Sequence, residues 1–149
     1  MPAATDVQMQ ELIDRQEIAD LVSRLGQMLD QKSFEHATSV LTEDIVVATS
    51  GGESRGLTRV IDQAERNHRG VTQHVITNIL IDLHGDRAEA QANLIATFWP
   101  DPRRPDGTFA VRDRYRFDLV RTENGWRLDR IQAGPQWRSN GSADPENER

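Results

Sequence analysis

Asp30 and His74 are the residues of this chain best suited to do chemistry. An imidazole near neutrality moves protons, and a carboxylate beside it orients the ring and stabilises its charged form. Asp30 falls where a long amphipathic segment runs out, and His74 lies inside a later, alternating segment. A carboxylate at a helix C-terminus opposes the helix dipole and needs compensation, for which a histidine cation is one source. Both residues also have plainer readings. Asp30 lies off the centre of its helix's apolar stripe, which suits solvent or a helix end. A lone strand histidine is commonly a structural group held by local partners.

Asp113 is a third candidate, because it interrupts the apolar face Phe109, Val111, Tyr115, Phe117 and Leu119. A buried carboxylate must be paired, hydrogen-bonded or protonated. Its plainer reading is an acid near a strand's start, paired with an arginine. His36, His68 and His84 fall on a short helix, before a loop and in a turn, and carry weaker claims. No histidine and carboxylate spacing fits a metal site, and no nucleotide loop or serine-hydrolase elbow occurs.

These groups need elements to position them. Residues 6–30 read as a helix, with Ile18, Leu21, Val22, Leu25 and Leu29 forming one stripe and Asp6 as its cap. Residues 33–41 read as a short helix capped by Ser33, and Leu57 to Asn67 as a third. Ile45 to Ala48 reads as a short strand, followed by a Ser50-Gly51-Gly52 loop. From Val71 the period changes from 3.6 to 2. Strands are predicted over 71–83, 86–99, 108–121 and from 125 to 133 or as far as Trp137. Gly85-Asp86 and Asn124-Gly125 mark hairpin turns. Helices first and a strand meander second make an α+β domain, with the helices packed on a curved, mostly antiparallel sheet.

On residues 86–99 one face reads Ala88, Ala90, Ala92, Leu94, Ala96, Phe98, which leaves room either for a ligand or for a close-packed helix. His74 is expected to share a face with Thr72, Ile76, Asn78 and Leu80. Leu25, Phe98, Tyr115 and Phe117 suggest an apolar, polycyclic ligand.

The chain has 149 residues and is read as one domain over 1–137, with a polar, disordered tail over 138–149. It has no cysteine, which fits a reducing, cytoplasmic setting. The net charge of −6 argues against nucleic acid, and no apolar run reaches membrane-spanning length. No secretory h-region is visible near the N-terminus.

The order of elements and several short motifs resemble the SnoaL-like group of the nuclear transport factor two-like superfamily over roughly residues 8–137. The motifs are a helix ending in Asp30, an L-x-x-D at Leu41–Asp44, an H-x-x-x-N at His74–Asn78, a G-D-R-A hairpin at Gly85–Ala88 and a G-W-R hairpin at Gly125–Arg127. Relatives include proteins like scytalone dehydratase, bile-acid dehydratase and a dehydrochlorinase. The resemblance implies a cone-shaped α+β barrel with a deep apolar pocket and an Asp30–His74 dyad. His74 would be the base and Asp30 its orienting partner. The implied chemistry is a cofactor-free dehydration, isomerisation or cyclisation of an apolar small molecule, and the implied assembly is a homodimer or homotrimer. Leu25, Asn78, Phe98, Asp113, Tyr115, Phe117 and Arg130 are the expected substrate-binding set. Two positions depart from the family pattern. Leu25 stands where several relatives carry a tyrosine. Ile131 stands where several carry an arginine, with Arg130 adjacent but aimed by strict alternation at the other face, unless a bulge intervenes. The same fold also serves as a non-catalytic binding or accessory module.

Overall fold

The computed structural model describes residues 4–139. A long helix, α1, spans Ala4–Gln31, and a 3-10 segment, Phe34–Ser39, follows it. Strands β1 (Leu41–Thr49) and β2 (Gly52–Arg55) form a hairpin, and α2 spans Leu57–Asn67. Then come β3 (Val71–His84), β4 (Arg87–Trp99), β5 (Phe109–Thr122) and β6 (Gly125–Arg138). The six strands form one sheet in the order β2-β1-β6-β5-β4-β3. All pairs are antiparallel except β1 with β6. This is the expected α+β arrangement, with both helices on the inner face of a curved sheet.

The stripe Ile18, Leu21, Val22, Leu25 and Leu29 is buried, and it packs mainly on β3 and β6. Ile18, Val22, Ile45, Phe117, Leu119 and Leu128 are the fully enclosed centre of the core. The two uses proposed for the alanine face are divided along β4. Ala88, Ala90 and Ala92 are closed into the core, whereas Ala96 lines a cavity. Gly26 is where α1 comes closest to β3: a Cβ there would sit 3.3 Å from Ile76 Cδ1 and 3.6 Å from His74 Cβ. Close approach at Gly26 sets Asp30, about one turn later, beside the same strand.

Several expectations change. Residues 33–41 do not form an α-helix, because Leu41 already pairs with Leu128 in the sheet. β2 begins at Gly52, the last residue of the expected loop, and its Gly-Glu-Ser-Arg sequence offers no apolar alternation to reveal it. β6 continues to Arg138, and Ser139 still bonds Ala110, so the expected tail begins inside paired structure. Residues 140–149 lie outside the described residues.

Two bulges matter most for function. In β3 the pairing steps from Thr77↔Asn93 to Leu80↔Gln91, which inserts one extra residue. Asn78 sits there at φ 57°, a left-handed conformation that asparagine tolerates better than most residues. The insertion inverts the alternation. Thr72, His74 and Ile76 face inward before it, and Ile79, Ile81 and Leu83 pack on the core after it. Leu80 is therefore exposed rather than sharing the face of His74. In β6 the pairing steps from Asp118↔Arg130 to Leu119↔Leu128, so Asp129 is the extra residue.

Candidate active site

A cavity of about 770 Å³ opens between the helices and the sheet at the end where α1 finishes. That volume suits a small organic ligand. Leu25, Met28 and Leu29 of α1, Val60 and Ala64 of α2, and Leu94, Ala96 and Phe98 of β4 form much of its apolar wall. Phe98 and Phe109 stack at 5.0 Å, and the Arg138 guanidinium lies 4.4 Å above Phe109.

Asp30 and His74 meet behind this wall. His74 Nδ1–H donates to Asp30 Oδ1 at 2.6 Å, and the His74 backbone N–H donates to Asp30 Oδ2 at 2.9 Å. Thr72 Oγ1 donates to Asp30 Oδ1 at 3.0 Å. One carboxylate thus accepts three hydrogen bonds from a single strand. The bond at Nδ1 sets the tautomer and leaves Nε2 as the unprotonated, basic nitrogen. His74 lines the cavity, whereas Asp30 does not. Asp30 is accordingly a positioning group that reaches a ligand only through the imidazole.

The helix end supplies the remaining compensation for Asp30. The Ser33 N–H bonds the Met28 carbonyl, and Lys32 takes φ 57° in the left-handed position that closes the helix. Lys32 Nζ then donates to the Leu29 carbonyl at 3.1 Å and to Thr72 Oγ1 at 3.0 Å. A cation at the last turn offsets both the helix dipole and the Asp30 charge. Partial burial holds the Lys32 ammonium below its usual range, against the pull of Asp30.

Leu25, Phe98, Asp113 and Tyr115 line the cavity. Asp113 Oδ1 is buried without a hydrogen-bond partner among the described residues, and burial pushes its carboxyl upward. Among the described residues no arginine pairs with it. The Tyr115 hydroxyl is also raised, first by burial and then by the Asp113 and Asp30 charges.

Three residues of the expected set lie elsewhere. Asn78 is exposed at the β3 bulge, where its conformation serves the backbone. Phe117 is enclosed in the core beside Tyr115, nearer the closed end of the sheet. Arg130 faces outward, donates to Glu53 at 3.1 Å and borders an outer groove of about 210 Å³ with Asp82, Glu89 and Asp118. A bulge does occur, at Asp129, but Ile131 is the residue that faces inward and Arg130 keeps the other face, where strict alternation aims it.

The sequence reading undervalued His68. The ring lines the cavity with its centroid 5.1 Å from that of His74 and 5.7 Å from that of Phe98. Its one sequence signal is position: a histidine just past a helix end can bond back to the last turn's carbonyls. Thr72 and Lys32 were also missed as supports of the dyad. No group of three or more His, Asp or Glu side chains among the described residues is arranged to hold a metal ion.

Solved structures with this fold are numerous. The Kfla4162 protein from Kribbella flavida superposes with a TM-score of 0.80 at 22% identity, covering 88% of this chain and 96% of that one. A scytalone dehydratase-like protein from Novosphingobium aromaticivorans gives 0.79 at 17% identity, covering 92% and 93%. A hexachlorocyclohexane dehydrochlorinase gives 0.80 at 15% identity, covering 92% and 95%. At these identities the likeness establishes the shared fold. No curated protein sequence matches the chain. The profile of the SnoaL-like domain does match, over residues 10–132, and the chain belongs to that family.

Proposed function

We propose that this domain is a cofactor-independent lyase or isomerase of the dehydratase or cyclase type, acting on an apolar small molecule. The observation that carries this reading is the hydrogen bond from His74 Nδ1 to Asp30, which leaves a basic Nε2 on a ring lining an apolar cavity. His74 Nε2 takes a proton from carbon. Asp30 fixes the tautomer and stabilises the imidazolium as it forms. Asp113, with its carboxyl raised by burial, is suited to return a proton to a leaving or carbonyl oxygen, and the Tyr115 hydroxyl is the other donor in the wall. The test is turnover of a panel of apolar β-hydroxy ketones, enolisable ketones and alkyl chlorides. With a substrate found, His74→Ala should lower turnover about 10²–10⁴-fold with ligand affinity retained. Full activity in that variant ends the proposal.

A second reading is a non-catalytic binding module. Leu25 in place of a tyrosine, and Arg130 turned to the outer face, favour it by removing two polar helpers from the cavity. It predicts binding without turnover across the panel, unchanged by His74→Ala. For assembly, Val75, Ile95, Arg112 and Trp137 form one cross-strand row on the outer face, and its three apolar members are exposed. This row supports a homodimer or homotrimer. Light scattering should show Ile95→Glu reducing the assembly to a monomer.

A further inference from the structure

His68 holds an arrangement that packing alone does not require. It follows the last residue of α2, and the Ala64 carbonyl accepts two hydrogen bonds from it: the backbone N–H at 3.0 Å and the ring Nδ1–H at 2.8 Å. A carbonyl oxygen can only accept, so Nδ1 must carry a proton, and in the neutral ring Nε2 is the bare nitrogen. Nε2 has no partner among the described residues and is not sealed from the cavity. The link from His68 to β3 is pinned as well. Gly70 takes φ 77°, and a Cβ there would meet the Trp99 and Pro100 carbonyl oxygens at 2.6 and 2.5 Å. The ring is therefore fixed by its own helix end on one side and by a side-chain-free turn on the other.

We infer that His68 is a specificity residue: its Nε2 accepts a hydrogen bond from a hydroxyl or N–H of the ligand, beside the point where His74 works. The site then takes an apolar molecule that carries a hydrogen-bond donor, in preference to one that is apolar throughout. This rests on the reading of the cavity as a small-molecule site and adds the class of ligand to it. The two imidazoles differ in kind. Each has Nδ1 bound to an acceptor, but Asp30 is charged and the Ala64 carbonyl is not. A proton arriving on His74 is stabilised by Asp30, whereas one arriving on His68 has only a carbonyl to meet. Burial foremost, and then the His74 and Lys32 charges, hold His68 down to about 4, with the Ala64 bond and the Asp30 charge opposing. His68 thus stays an acceptor while His74 cycles through its charged form. For the same reason it cannot protonate a leaving group, and that task stays with Asp113 or Tyr115.

The test compares 4-propylphenol with 4-propylanisole, in which a methyl group replaces the hydroxyl donor, using calorimetry at pH 7. Wild type should bind the phenol about tenfold more tightly. His68→Phe keeps an aromatic ring against His74 and Phe98 and should erase the preference, while His74→Ala should keep it. Two outcomes overturn the inference: equal binding of both probes to wild type, or a preference that survives His68→Phe. If neither probe binds wild type, the small-molecule reading falls and takes this inference with it. A measurement on the wild-type protein covers a variant that fails to fold. Nitrogen-15 spectra should show His68 as the Nδ1–H tautomer, with Nε2 shifting on addition of 4-propylphenol. An Nε2–H tautomer, or no shift at saturation, overturns the inference.

Discussion

Helix α1 carries two carboxylates that the sheet captures, and they are used in opposite ways. Asp14, near the closed end, is 5% exposed and is gripped by Arg121 through two hydrogen bonds of 2.8 Å, with Trp126 Nε1 and Gln10 adding one each. Arg121 in turn stacks over the Trp126 ring at 4.5 Å and reaches Asp86. Asp30, at the cavity end, is held by a histidine, that histidine's backbone and a threonine. The difference is the partner's chemistry. A guanidinium keeps its charge at every working pH, so the Asp14 cluster is a permanent fastening. An imidazole is able to take up and give back a proton, so under the proposed function the same kind of carboxylate would belong to a device that changes state.

Exchanging each acid for its amide should separate these roles. Asp30→Asn should have the largest effect on chemistry, lowering turnover about 10²–10⁴-fold because an amide cannot stabilise an imidazolium. Its unfolding free energy should fall by only about 1 kcal/mol, since the amide oxygen keeps the two bonds made at Oδ1 while its NH2 group faces the His74 backbone N–H. Asp14→Asn should do the reverse. It leaves Arg121 with the exposed Asp86 as its one acidic partner among the described residues, so equilibrium unfolding should read a loss of about 2 kcal/mol, with dyad chemistry intact. Comparable losses of both properties in both variants would erase the contrast.

Acid titration should sharpen it. The Arg121 hydrogen bonds hold Asp14 well below the ordinary 3.8, at about 2. A group depressed in the folded state stabilises above its unfolded value, and that stabilisation is lost as pH falls through the folded one. The stability gap between wild type and Asp14→Asn should therefore be full above pH 4 and close between about 4 and 2. The smallest effect is expected from Thr72→Val. It removes one of the three donors to Asp30 and the acceptor for Lys32, and should cost about 1 kcal/mol in unfolding free energy with only a modest loss of turnover.

Much of this was legible in the chain. The stripe from Ile18 to Leu29, the change of period at Val71 and the alternation through Ala88–Phe98 all describe which face is buried, and burial follows from residue type alone. What hid was parity. Alternation read across Asn78 places Asn78 and Leu80 inward with His74, and one inserted residue sends both to solvent. The extra residue Asp129 likewise breaks parity in β6, putting Leu128 and Ile131 on the same inner face. A bulge is a property of two strands together, and only the asparagine's tolerance of positive φ hints at it within one. His68 and Lys32 were hidden differently. Their roles depend on what a helix end abuts, and for Lys32 the close approach at Gly26 that settles this is written partly in the neighbour, Ile76.

The two captures also differ in when a growing chain can make them. Asp30 and His74 are 44 residues apart, whereas Asp14 waits for Arg121 and Trp126, 107 and 112 residues downstream. Closing the longer loop costs about 0.8 kcal/mol more in chain entropy. More importantly, the closed end stays open until β5 and β6 have left the ribosome, and β1 waits for β6 as its parallel neighbour. Asp30 can meet its partner in a shorter nascent chain than Asp14 can. A chain that ended before Arg121 could hold Asp30 and His74 but would leave Asp14 without its guanidinium, so the two ends of α1 are fastened by parts of the chain synthesised at different times.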